Sequence, residues 1–81
     1  MVDRKQKTDQ PRIVQDPTVM VGKPVVAGTR IPVERVIARL ARNPGLEDLL
    51  AAYPELTTED VKACLRYARE ALEQERRTTL V

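Results

Sequence analysis

An 81-residue chain has room for one small domain, and a fold of this size buries only about 60% of its unfolded surface, so the core is thin. Two tyrosines are the only aromatic residues, which leaves Leu, Val, Ile and Ala to fill that core and makes a second copy that extends it physically useful. Fourteen basic and twelve acidic residues give a net charge of +2, too balanced to establish a nucleic-acid partner, while the single cysteine excludes an internal disulfide and any cysteine-rich metal site.

Residues 1–11, MVDRKQKTDQP, carry charged and amide side chains without an apolar period and read as a flexible arm. Arg4, Lys5 and Lys7 are read as a solvated tail in preference to phosphate contacts. A single domain is expected over 12–74. It opens with two short extended pieces, 12–14 and 23–26, joined by DPTVMVG, whose proline and Gly22 supply turn chemistry. Such strands need a hairpin or a second chain to satisfy their edges. Ala27-Gly28-Thr29 makes the next turn, with Gly28 at a positive φ or a close backbone approach. Arg30, between this turn and Ile31-Pro32, is expected to tie loop carbonyls or a carboxylate through its five donors.

Pro32 suits a first helical position, and Val33, Val36, Ile37 and Leu40 predict a helix over about 33–42. Arg35, Arg39 and Arg42 lie elsewhere on it and are read as solubilising. Asn43-Pro44-Gly45 stops it. A second helix, about 47–53, buries Leu49, Leu50 and Tyr53 and carries Glu47 and Asp48 where the helix dipole favours them. Pro54 breaks the ladder. Thr57 then caps a third helix over about 58–74, with Asp60 in its first turn and Thr58 as a competing cap. In that helix Val61, Leu65, Ala68 and Leu72 recur at four, three and four and are expected to form its buried stripe. Residues 75–81 are expected to fray, with Leu80 and Val81 available to a partner.

Two helices separated by about four residues form a helix-turn-helix, although any tight αα corner has that spacing. Lys62, Arg66 and Arg69 share a face of the third helix, and early residues of such a helix lie nearest base edges. Thr58, Glu59 and Lys62 are therefore candidate base readers, and Arg66 and Arg69 candidate phosphate contacts in double-stranded DNA. The plainer alternative is a solvated face in which Lys62 and Arg66 pair with Glu59, and Arg69 with Glu73.

The run GKPVVAGTRIPVERVIARL at 22–40, followed by YPELTTEDVKACLRYARE at 53–70, closely resembles domain of unknown function 433 (DUF433), with a match over about 13–72. The resemblance implies a mainly α, homeodomain-like three-helix domain behind a short β-hairpin or arm, often encoded beside a PIN-like toxin and regarded as its antitoxin. It also implies a signature segment, chiefly structural, of Gly22, Lys23, Pro24, Gly28, Thr29, Arg30, Ile31 and Pro32. Tyr53, Pro54, Leu56, Asp60 and Val61 then set the corner and the third helix. Leu46 departs from the family's usual Ser or Thr and weakens the cap of the second helix.

Catalysis is the function class the residues oppose. There is no histidine to act as a base, Cys64 has no base partner in its helical pattern, and Asp16 and Asp60 stand apart from any ligand cluster. No catalytic, cofactor or metal site is expected. No run is long enough to span a bilayer and the N-terminus is polar, so the expected location is the cytoplasm. Three readings stand: a homodimeric DNA-binding antitoxin that represses its own operon and neutralises a PIN-like toxin, a protein-interaction module that grips a toxin without touching DNA, and a helical domain of other purpose.

Overall fold

The computed structural model describes residues 6–7, 11–18 and 22–79. Three short antiparallel strands, β1 (Gln6–Lys7), β2 (Ile13–Gln15) and β3 (Pro24–Val26), form a sheet in the order β1-β2-β3. Ile13 pairs with Val26 and both are fully buried, so this rung carries the face of the sheet that rests on the helices. The sequence places the strands one residue earlier and gives no strand to the arm. In the fold, Gln6 and Lys7 lie opposite Gln15 and Val14 and satisfy the outer edge of β2. The remainder of the arm, Val19 to Val21, and Leu80 and Val81 lie outside the described residues.

The turn after β3 is tied by its own side chains. Thr29 N donates to Val26 O at 3.0 Å, and Gly28 sits at φ +80, which the third position of a type II turn requires. The Thr29 hydroxyl donates to Val26 O at 2.8 Å and accepts from Ile31 N at 3.0 Å. Arg30, expected to make this tie, is instead exposed and makes no hydrogen bond or ion pair with another described residue. The short Thr29 side chain already serves the Val26 carbonyl and the Ile31 N–H, so the turn is tied without the guanidinium.

Three helices follow: α1 (Val33–Arg42), α2 (Leu46–Ala52) and α3 (Thr58–Thr79). Pro32 is the N-cap of α1 and not its first residue: at φ −69, ψ 146 it is extended, and its carbonyl accepts from Arg35 N and Val36 N. Val33 and Val36 face the core, with Ile37 and Leu40 packed against it. The α2 cap lacks a side-chain bond at Gly45, and Asn43 compensates from outside the helix. Its Oδ1 accepts from Gly45 N at 2.9 Å while its Nδ2 donates to Asp48 Oδ2 at 2.9 Å. The loop 53–57 turns by Leu56 N donating to Tyr53 O at 2.9 Å, with Pro54 at the position its fixed φ suits, and Leu56 plugs the corner at 5% exposure.

The third helix differs most from the expected pattern. It continues to Thr79, past the expected end at 74, and of the stripe Val61, Leu65, Ala68 and Leu72 only Val61 is buried. Leu65 and Leu72 are 49% and 66% exposed. The line that enters the core is Asp60, Val61, Ala63 and Cys64, continued by the partly buried Tyr67. Apolar periodicity does not count an inward aspartate, and it is Asp60 that sets the rotation of the helix. From residue 71 to 76 every side chain is exposed, so the C-terminal half of α3, a helix of 22 residues and about 33 Å by its rise, stands clear of the core.

Candidate nucleic-acid interface

The N-terminus of α3 is held by a reciprocal cap. Thr57 Oγ1 accepts from Asp60 N at 3.1 Å, and Asp60 Oδ2 accepts from Thr57 N at 3.0 Å, so two of the donors a helix start leaves open are satisfied. Thr57, not Thr58, is therefore the capping residue. The other carboxylate oxygen of Asp60 accepts from an Arg12 guanidinium nitrogen at 3.0 Å. One buried side chain thus joins the helix start to the sheet.

With the rotation of α3 fixed this way, Thr58, Glu59, Lys62, Arg66 and Arg69 all emerge on the side turned away from the core, and all five are exposed. The signs on this face are mixed. Lys62 Nζ lies 3.6 Å from Glu59 Oε2, and Arg66 is also engaged within the chain. Arg69 makes no ion pair with a described residue, Glu73 included. An exposed pair of this kind is worth under about 1 kcal/mol, so Glu59 holds Lys62 only weakly.

The other expected residues sit around this frame. Gly22 has φ +79 and its carbonyl accepts from Gln15 Nε2 at 3.2 Å, while Lys23 Nζ pairs with Glu34 Oε2 at 3.0 Å on the surface. Pro24 opens β3, Ile31 is buried, and Tyr53 packs against the core as a wedge beside the exposed Pro54. Cys64 is wholly enclosed, and burial, followed by the Asp60 charge, pushes its thiol up to about 11. It is protonated near neutral pH and unsuited to nucleophilic work. Among the described residues no group of three or more Cys, Asp or Glu is placed to hold a metal ion, and no helix is long and apolar enough to cross a membrane.

Residues 13–68 match the family described as "Protein of unknown function (DUF433)", which is more than half of the chain. The chain belongs to this family. A DUF433 member protein from Anabaena variabilis, solved as a crystal structure, superposes with a TM-score of 0.73 at 35% identity, covering 89% of this chain and 71% of that one. The chain is also 38% identical over 56 residues to the uncharacterized protein y4eO of Sinorhizobium fredii. That alignment takes in 69% of this chain and spans only a quarter of the relative's length. DUF433 here is a mainly helical, homeodomain-like helix-turn-helix fold with a short β-sheet in front.

Two features of this DUF433 chain escape a reading of its sequence. The Arg12–Asp60 pair joins positions 48 apart, beyond any local pattern. The three arginines of α1 are legible as residues, but that none of them pairs with an acidic side chain among the described residues emerges only in the fold.

Proposed function

We propose that this protein is a DNA-binding regulator of the antitoxin type, not an enzyme. In this reading a cytoplasmic homodimer binds its operator through α3 and neutralises a PIN-like toxin. The observation that carries it is the outward face of α3, where a helix-turn-helix presents Thr58, Glu59, Lys62, Arg66 and Arg69 together, opposite the buried Asp60, Val61 and Cys64. Thr58, Glu59 and Lys62, nearest the helix start, are the base readers, and Arg66 and Arg69 contact phosphates. The modest net charge makes useful affinity depend on two copies acting together.

A second reading, a module that grips a toxin without DNA activity, is favoured by one observation: Leu65 and Leu72 are large apolar side chains left exposed on α3. Titration of a labelled duplex from upstream of the gene separates the two. Wild type and the folded Arg66→Ala/Arg69→Ala variant are compared at two salt concentrations. DNA binding through α3 requires weaker binding and a shallower salt slope in the variant; identical curves reject it. Fixed-stoichiometry co-purification of the neighbouring gene's product tests the toxin partner.

A further inference from the structure

Resting on the DNA-binding reading, we infer that the arginine face of α1, formed by Arg35, Arg39 and Arg42, is a second contact surface that seats the phosphate backbone of the duplex. The positive charge of this domain is not concentrated on α3. That helix holds five basic and five acidic residues, whereas α1 holds three arginines against Glu34 alone. The three recur at spacings of four and three, on the side of α1 opposite the buried Val33 and Val36.

None of the three makes a side-chain hydrogen bond or ion pair with another described residue. The nearby acids are already engaged: Glu34 by Lys23 at 3.0 Å, and Asp48 by Asn43 at 2.9 Å. Arg39 and Arg42 have an intrahelical role, because they sit in the last turn where the dipole favours cations. Arg35 does not. It lies in the first turn, at the positive end of the helix, where a cation without a carboxylate partner is disfavoured. An external anion supplies what the fold leaves out.

The surface has a shape as well as a charge. Arg39, Arg42 and Asn43 line an open recess of about 280 Å³ where α1 passes into the loop before α2. The seven residue steps from Arg35 to Arg42 advance about 10 Å by the α-helical rise, about three phosphate-to-phosphate intervals of one strand. In homeodomain-type complexes the loop between the first two helices meets the backbone, and Asn43, at the rim of this recess, opens that loop here. The guanidinium fork suits phosphate oxygens, and such contacts carry no sequence information.

The test uses the full chain, the labelled upstream duplex and an unrelated duplex of equal length. Arg35→Gln/Arg39→Gln/Arg42→Gln removes the charge while keeping helix-compatible side chains, and the corresponding triple lysine variant keeps the charge. Circular dichroism establishes that each is folded. The glutamine variant is expected to bind both duplexes about tenfold more weakly or worse near 0.1 M salt, with the slope of log K against log salt shallower by about 0.9 per arginine and per bound copy. The lysine variant is expected to keep the slope. If the glutamine triple fails to fold, the exposed Arg42→Gln alone is expected to lower the slope by about 0.9 per copy.

Wild-type binding with unchanged slopes in the glutamine variant overturns this surface and leaves α3 as the DNA contact. Absence of wild-type binding to either duplex overturns both. An equal loss in the folded lysine and glutamine variants overturns the role of charge. Loss of a co-purifying protein with DNA binding intact assigns the face to a protein partner instead and overturns the inference.

Discussion

Asp60 grips Arg12 across 48 positions of sequence, 3.0 Å from oxygen to guanidinium nitrogen, while its second oxygen closes the cap at Thr57. The pair is asymmetric: the Asp60 side chain is 12% exposed and that of Arg12 is 50% exposed. Most of the stabilisation therefore belongs to the buried partner. Asp60→Ala leaves the Thr57 hydroxyl on its own backbone N–H but removes two charge-assisted hydrogen bonds, from Thr57 N and from Arg12, each worth about 1.5–3 kcal/mol, so a loss of about 3 kcal/mol or more is expected. Arg12→Ala is expected to cost less than Asp60→Ala, because the deleted guanidinium is half exposed and Asp60 keeps its bond from Thr57 N. Urea denaturation of the two variants checks this order, and equal losses contradict it.

The turn at Gly28 makes a backbone prediction. A Cβ there meets nothing within 4 Å, so the cost of Gly28→Ala arises only from holding φ +80 with a side chain. A loss of about 1 kcal/mol is expected, with no change in the denaturant slope. A neutral result places the turn strain elsewhere.

Cys64 makes stability fall in alkali. Its thiol is raised from 9.0 to about 11, chiefly by burial, so the folded state holds its proton more tightly than the unfolded one. The stabilisation is fully present below about pH 9 and is lost as pH rises through about 11, since the unfolded state releases the proton first. The urea midpoint is expected to drop more steeply over this window in wild type than in Cys64→Ala, whose steric loss is constant with pH. Parallel curves reject the assignment. A thiol reagent at about pH 8 should label the folded chain slowly.

Leu65 and Leu72 make a prediction about assembly. Both leave the core and stand exposed on α3, so Leu65→Ser/Leu72→Ser is expected to cost the isolated chain little. If this side of α3 lies in the proposed homodimer, light scattering at tens of micromolar gives two chains for wild type and one for the variant. A single-chain wild type rejects the dimer, and a two-chain variant moves the interface elsewhere.

Helix existence and the sites of the breaks were determined by local chemistry in the sequence: Asn43-Pro44-Gly45, Tyr53-Pro54 and the Thr57/Asp60 cap act over a few residues, and the helices lie within a residue of their expected starts. The positive φ at Gly28 is equally local. Tertiary structure decided the rotation and reach of α3. Leu65 and Leu72 satisfy a helical period as well as Val61 does, but with Asp60 buried at the cap the line that faces the core is Val61, Ala63 and Cys64, which leaves Leu65 on the outer side, and the turns from residue 71 on, Leu72 among them, stand beyond the core. The pairing of charges belongs to the same level. Which arginines lack a carboxylate depends on neighbours brought close by folding, and that information is absent from the linear order of the residues.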